Sequence, residues 1–386
     1  LTGRSAVTEK SSWRPLEGTA HAVAVEALIH GPLSRRELAR RLDLSPATLT
    51  RITKPLLDVG LLIETGPQAP AGMGRPSLPL DIDPTSQHFI GIKLTADEVH
   101  GVLTDLRARV LATEVTPLQD RSPTAVADVV AQVVEKLSPG VPTITSVGVS
   151  AGGLVNDYAT LTAAAYLGWE GTVPLADLIA ERTGLPSVVA NDVEAWTQAE
   201  RWFGDGRDVE AFALLTTGVG IGYDVVTHGW AAASPDIGVG VAGHIPLDPL
   251  GPLCHEGHRG CAEAMLTSGA ICAAIGIGVG HPVTYDEALA LAKSGDPVAH
   301  RVVHASARAY GRLLAIIANL TFVPLIIVSG DGVDLAVEWE DVVRDEFRAN
   351  RHPMASEVRL IIKRAPFTEW ARGAAVVAIQ THVLGR

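Results

Sequence analysis

The sequence contains no uninterrupted apolar run approaching the roughly 18 residues that a membrane span requires. Its polar opening, LTGRSAVTEKSSW, lacks the apolar stretch of a secretory signal. Cysteine is scarce. The three present all lie between positions 254 and 272, which argues against a disulfide scaffold and agrees with a reducing compartment. These absences lead to the expectation of a cytoplasmic protein with no membrane partner. No Met opens the chain, so its start reads as trimmed or engineered. Positive charge is also in short supply beyond the first 80 residues: those 80 carry 10 Lys+Arg against 7 Asp+Glu, whereas the other 306 carry 21 against 36. An acidic body repels phosphate, so contact with nucleic acid is confined to the front of the chain. Hydrophobic residues make up 47% of the 386, enough to build the cores of two or three domains.

Within the basic front, residues 34–62 spell two short helices joined by a tight turn. Ser34-Arg35-Arg36-Glu37 has the form of a capping box, in which the Ser hydroxyl accepts from the Glu37 N–H and the Glu carboxylate from the Ser34 N–H. Leu38, Ala39 and Leu42 then share one face. Ser45 is the next N-cap, with Pro46 at the first helical position, where a missing N–H costs nothing. Leu49, Ile52, Leu56 and Val59 form the apolar stripe of this second helix and turn Ala47, Thr48 and Arg51 outward, where a recognition helix meets base edges in a major groove. Pro55 deletes a hydrogen bond and is expected to kink the last turns. A helix over 19–30 supplies the third member of the bundle. Leu61–Glu64, a loop over 65–74 and a return through Leu78–Leu80 make a β-hairpin wing.

Arg35, Arg36, Arg40, Arg41, Arg51 and Lys54 form the phosphate-facing set in this reading, or the wet side of an ordinary helical bundle in the alternative. Arg75 at the wing's far edge suits an adjacent minor groove, or is a solvated linker residue. The third helix and the wing favour the first reading, with double-stranded DNA as partner.

From His88 the pattern becomes α/β. Phe89–Leu94, Val99–Asp105 and Val110–Val115 read as successive strands, followed by a helix over 124–137 and a strand over 146–150. A second round has strands over 211–216 and 221–226, a long helix over 298–320 and a buried strand Leu325–Ser329 that ends in Gly330-Asp331-Gly332. Two β-rich halves with a cleft between them have the look of an actin-like sugar-kinase architecture, although no repeat is legible at residue level.

Three further words lie along that cleft. Asn191-Asp192 ends a strand and opens a helix, Gly218-Val219-Gly220-Ile221-Gly222 is a glycine turn, and residues 243–263 read GHIPLDPLGPLCHEGHRGCAE. Together these resemble the ROK family of bacterial repressors, open reading frames and sugar kinases, over nearly the whole chain. The resemblance implies a winged helix-turn-helix domain over 1–82, a small α/β lobe over 83–200 to which a C-terminal helix over 372–386 returns, and a large lobe over 201–371. A DNA-binding head ahead of such a body is the arrangement of the family's repressors. The resemblance also implies a homodimer or higher homo-oligomer on an operator.

The departures from the family pattern carry information. Where kinase members have an Asp-x-Gly-x-Thr-like turn whose glycines admit ATP phosphates, this chain has Lys93-Leu94-Thr95-Ala96-Asp97. Asp192, the general base of a kinase, is left as a hydrogen-bond acceptor, so no enzyme is expected. His244, Cys254 and Cys261 match three of the family's four zinc ligands; Glu256 stands in for the fourth, a Cys, with His255 and His258 as nearby substitutes. Cys272, inside an apolar helix, reads as core. The family's hexose contacts fall here on Asn191, Asp192, His244 and Glu263, but a Glu is replaced by Val241 and an Asn by Tyr166. Each lost partner leaves a sugar hydroxyl unpaired at roughly 1–3 kcal/mol.

Three functions follow from these features: a sugar-responsive repressor, a sugar kinase with a DNA-binding appendage, and a regulator whose sensor answers to another ligand or partner. Lys93 and the missing glycines argue against the kinase.

Overall fold

The computed structural model describes residues 18–66, 78–232, 234 and 236–384. Three helices come first: α1 (Gly18–His30), α2 (Arg35–Arg41) and α3 (Pro46–Asp58). Ser34 and Ser45 cap the second and third through the N–H groups of Glu37 and Thr48, at 3.2 and 3.1 Å. Only half of the expected capping box forms, because the Glu37 carboxylate faces Arg40 and Arg41 instead. In α3, Leu49 and Leu56 are buried, but Val59 is 54% exposed. Val59 is the C-cap residue, past the last helical turn, and Thr53 takes the fourth inward position. The helix runs through Pro55 to Asp58.

The wing pairs β1 (Leu62–Glu64) with β2 (Leu80–Ile82), antiparallel, with Leu62 opposite Ile82. The return strand therefore starts two residues later than the pattern over 78–80 suggests. Leu78 is largely exposed, whereas Leu80 and Ile82 are fully buried. Arg75 and the outer part of the wing loop lie outside the described residues.

Two five-stranded sheets follow. The first uses β3 (His88–Leu94), β4 (Glu98–Asp105), β5 (Val110–Pro117), β6 (Ile144–Ala151) and β9 (Ser187–Asn191), with α4 (Pro123–Leu137), the small hairpin β7 (Leu154–Asn156) and β8 (Thr160–Thr162), and α5 (Leu175–Thr183) between them. Its strand order is β5-β4-β3-β6-β9. After α6 (Asp192–Phe203), the second sheet uses β10 (Phe212–Thr217), β11 (Ile221–Thr227), β12 (Trp230–Ala231), β13 (Leu325–Ser329) and β14 (Arg359–Ile362). Its order is β12-β11-β10-β13-β14. Each sheet is thus an antiparallel three-strand meander followed by two strands parallel to the meander's first. The duplication that no residue-level repeat reveals is explicit in the topology.

The second sheet is covered by α7 (Ala262–Leu266), α8 (Ser268–Val279), α9 (Tyr285–Lys293), α10 (Pro297–Thr321), α11 (Asp334–Glu338) and α12 (Glu340–Ala349). Cys272 is half-buried against this core. The last helix, α13 (Phe367–His382), returns to the first sheet. It can do so at backbone contact because Gly91 and Gly148 have no side chain: a Cβ on either would lie 1.9 and 2.0 Å from the carbonyl oxygens of Ala371 and Ala374. No described helix is long and apolar enough to cross a membrane.

One buried cluster runs from Val23, Leu28, Leu49 and Leu80 of the head, through Phe89 and Leu106, to Trp370 and Ile379 of α13. Arg107, in the β4–β5 turn, locks the junction. Its guanidinium donates to the carbonyls of Leu28 and Ala27, at 2.9 and 3.1 Å, and pairs with Asp81. It thereby satisfies the Leu28 carbonyl at the end of α1, adds a second donor to the Ala27 carbonyl, which also accepts the Gly31 N–H at 2.9 Å, and pairs a carboxylate that is largely removed from water. Arg107→Ala is expected to cost about 3 kcal/mol and to raise amide exchange across residues 18–66 more than in the two sheets. Uniform exchange in head and body would show that Arg107 is not the clasp.

Candidate functional site

Two regions of the molecule gather the chemistry-bearing residues. On the head, Ala47, Thr50, Arg51 and Lys54 form the exposed side of α3. Thr48 is turned into the cap, its Oγ1 2.9 Å from Ser45 Oγ. Thr50, which the sequence reading passes over, stands outward in its place. Arg36 and Arg40 are exposed, and Arg40 has only a distant contact, 3.9 Å, with Glu37. Arg35 and Arg41 are differently employed. Arg35 ties α2 to the wing through Glu64 at 2.6 Å and the Leu78 carbonyl at 3.3 Å, and Arg41 pairs with Glu26 at 2.8 Å. Their charge is paired within the head, which leaves Arg36, Arg40, Arg51 and Lys54 as its exposed cations without a close acid partner among the described residues.

The second region lies at the carboxyl ends of the parallel strands, where open α/β sheets bind ligands. Asn191 closes β9 and caps α6: its Oδ1 accepts from the N–H groups of Val193 and Glu194, at 3.0 and 3.3 Å, and its Nδ2 donates to the Gly153 carbonyl at 3.1 Å. With both ends of its amide engaged and only 4% exposed, Asn191 shapes the site from beneath. Asp192 accepts at Oδ1 from the Val193 N–H at 2.9 Å and at Oδ2 from Lys93 Nζ at 2.5 Å. The Lys93 ammonium, at the end of β3, also lies 4.9 Å from the Trp370 ring centre. Lys93 and Asp192 thus form a largely buried ion pair at the ends of β3 and β9.

Tyr166 stands over the same cleft. A Cβ on Gly152 would meet its ring at 3.1 Å, and one on Gly220 its hydroxyl at 2.6 Å. Burial, and then the charges of Asp192, Asp331 and Glu263, hold its phenol above the ordinary tyrosine value. Val241 is exposed.

The segment 243–263 folds into a hairpin-like loop held by the Leu253–Arg259 bridge and by the Cys254 N–H donating to the His258 carbonyl at 2.9 Å. Positions 254 and 258 therefore face each other across its base, and Glu256 is carried to the tip. His244, Cys254 and Cys261 converge, with one ligand atom from each all within 4.8 Å of one another. His258 Nδ1 joins them at 3.0 Å from His244 Nδ1 and 3.7 Å from Cys254 Sγ, and Cys254 Sγ is 3.8 Å from His244 Nδ1. Those separations are near the roughly 3.3–3.8 Å edges of a tetrahedron with zinc–nitrogen and zinc–sulfur bonds.

The substitution of Glu256 for the fourth ligand is not what the geometry supports. Its carboxylate is exposed and lies 3.3 Å from His255 Nε2. His255 in turn gives Nδ1 to Glu263 at 2.7 Å, and His244 presents Nε2 to the other Glu263 oxygen at 3.5 Å. His244 therefore turns one ring nitrogen to the cysteines and the other to Glu263 and the cleft. Burial pushes the Cys261 thiol up, and Cys254 beside it adds to the rise. Such a pair ionises readily only next to a cation. The signal that was available in the sequence is the four-residue step from Cys254 to His258 across Gly257.

The chain belongs to the ROK family, whose profile matches residues 89–381. It is 29% identical over 327 residues to the DNA-binding transcriptional dual regulator NagC of Escherichia coli (strain K12), a match spanning 81% of this chain and 80% of that protein. A glucokinase of Thermotoga maritima is 37% identical over 185 residues, 43% of this chain and 56% of that enzyme. Among solved structures, a ROK family transcriptional regulator homologous to the E. coli MLC protein superposes with a TM-score of 0.79 at 27% identity, over 95% of this chain and 97% of that one. The likeness to the regulator structure takes in the head, whereas a ROK family glucokinase from Streptomyces griseus superposes with a TM-score of 0.62 at 26% identity over 75% of this chain.

The Lys93–Asp192 pair can be tested without any ligand. Lys93→Met strands a carboxylate that is 15% exposed and should cost about 3 kcal/mol in chemical denaturation. Adding Asp192→Asn should recover part of that loss, and a strictly additive double-mutant cycle would show the two charges to be uncoupled.

Proposed function

We propose that this chain is a DNA-binding transcriptional regulator, acting as a repressor of genes for sugar uptake or metabolism, with a sugar-like effector in a catalytically silent ROK body. The observation that carries this reading is the helix-turn-helix head joined to a sugar-kinase-type body through one continuous buried core. The likeness to NagC and to a ROK regulator over most of the chain supports it. Head, small lobe and large lobe are taken to meet near residues 82 and 200. Phosphoryl transfer is disfavoured because Asp192 is ion-paired and the turn after β3 has no glycine to admit phosphates.

A route from cleft to head follows from the contacts. The helix α6 starts at Asp192 and ends at Phe203, whose carbonyl faces Arg372, and Arg372 also donates to the Ala108 carbonyl at 2.9 Å, next to the Arg107 clasp. An effector that tilts α6 relative to the first sheet would move the head, and in a homodimer the spacing of two heads. Val241 and Tyr166 in place of two polar family contacts favour a ligand with few hydroxyls or an apolar substituent. They also keep alive the second reading, a sensor for another molecule or partner.

Footprinting and titration of the full chain test the proposal. Binding to a pseudo-palindromic site as a dimer is expected. Arg51→Ala should relax sequence choice at about 1–3 kcal/mol, and Lys54→Ala should lower the salt slope by about one. A saturating effector should change DNA affinity by roughly 5- to 150-fold. Specific binding that survives removal of the head would rule this function out.

We further propose one Zn²⁺ per chain, held by His244, Cys254, Cys261 and His258. In such a site the metal is structural: it would close the loop and fix the His244 ring so that Nε2 faces Glu263. Elemental analysis should find about one zinc, and His258→Ala should loosen it more than Glu256→Ala. The opposite ranking would return Glu256 to the ligand set.

A further inference from the structure

Asp331, just beyond β13, lies against the glycine turn of the cleft. The segment 330–332 lies directly on the end of β10. Gly330, at φ +113°, is so close that a Cβ there would be 2.2 Å from the Thr217 carbonyl oxygen, and the Gly332 N–H donates to that same oxygen at 2.8 Å. The Asp331 side chain is thereby laid over Gly218. A Cβ on Gly218 would lie 1.7 Å from Asp331 Oδ1 and 2.4 Å from its Cγ, so the arrangement exists only because position 218 carries no side chain. Burial holds the Asp331 carboxyl above the ordinary aspartate range, and its own N–H and that of Val219 work against the rise.

Consecutive N–H groups of a glycine turn are what an anion would use. Here the protein's own carboxylate covers the turn at Gly218, whose N–H is already given to the Gly220 carbonyl at 3.0 Å. The surroundings add to the effect. The charge of Asp192 adds to the rise in the Asp331 carboxyl, and Lys93, whose charge opposes it, is already paired with Asp192 at 2.5 Å. Tyr166 narrows the same space from above, over Gly220.

We propose that Asp331 is a specificity residue: by filling the anion-binding turn with a built-in carboxylate, it excludes phosphorylated ligands from the cleft and restricts the effector to unphosphorylated sugars or polyols. This rests on the effector reading above for the identity of the ligand, but the exclusion of phosphate rests on the Asp331 geometry alone. A phosphate dianion brought beside Asp331 and Asp192 meets like charge in a partly desolvated site, which places the discrimination on the order of a hundredfold.

The test is calorimetry of the full chain and of Asp331→Asn and Asp331→Gly with inorganic phosphate, ADP, a panel of free hexoses and the matching hexose 6-phosphates. The native chain should bind neither phosphate, ADP nor any sugar phosphate. Asp331→Gly, which removes both the charge and the bulk, should gain phosphate and phosphate-ester binding by about a hundredfold. Asp331→Asn, nearly isosteric and so the better guarded against misfolding, should gain less. The proposal is overturned if the native chain binds a sugar phosphate as tightly as the free sugar, or if neither variant improves on it for inorganic phosphate. Should the variants gain phosphate while no free sugar binds any of the three proteins, Asp331 keeps its assignment and the sugar-effector reading fails.

Discussion

The first half of the molecule cannot be completed until the other end of the chain arrives. The helix α13 lies against β3 and β6 at backbone contact, permitted by Gly91 and Gly148, and Gly373 allows the same approach to α6. On one side α13 places the Trp370 ring beneath Lys93, and on the other its Arg372 reaches the end of α6 and the turn that holds Arg107. Side chains larger than hydrogen at those three glycines would push the helix off the sheet, because the atoms in the way are backbone and cannot rotate aside. Sheet, cleft and head junction all depend on this one close packing.

The duplicated topology explains why the chemistry collects where it does. Each sheet sends the carboxyl ends of its parallel strands toward the same cleft: Lys93 from β3, Asn191-Asp192 from β9, the glycine turn from β10 and Asp331 beyond β13. In a kinase, such an arrangement brings phosphate and sugar together. Here the same scaffold pairs Lys93 with Asp192 and lays the Asp331 carboxylate over Gly218 of the glycine turn. A cleft whose strongest donors and acceptors are already paired is suited to holding a neutral ligand and poorly suited to stabilising charge that develops in a transition state.

The loop over 243–263 links the proposed metal site and the cleft through His244, whose two ring nitrogens face different neighbours. Imidazole is the side chain able to do this, since Nδ1 and Nε2 point apart and the bond made by one sets the protonation of the other. Glu263, held by His255 on one oxygen and facing His244 with the other, is the point at which the ordering of the loop is passed to the cleft.

Much of this was legible along the chain. Ser34 and Ser45 as caps, Pro46 at the start of α3 and the apolar spacing of the head needed only local chemistry, as did the strands and the long helix of the body, because their signals lie within a few residues of one another. The cleft words Asn191-Asp192 and Gly218–Gly222 were likewise recognisable as strand ends and turns. What sequence could not settle are the pairings between distant positions. Lys93 was visible as a departure but its partner, 99 residues on, was not. Arg35 and Arg41 counted as free charges until the fold supplied Glu64 and Glu26. Glu256 matched a ligand by spacing, yet the group that the fold assembles is His244, Cys254 and Cys261, with the His258 ring beside His244. Gly330-Asp331-Gly332 read as the end of a buried strand, and only the parallel pairing of β13 with β10 laid its carboxylate on Gly218. Local preference determines what each segment is; which charge meets which is decided by the tertiary fold, because a Coulombic or hydrogen-bonded contact depends on distance through space and not along the chain.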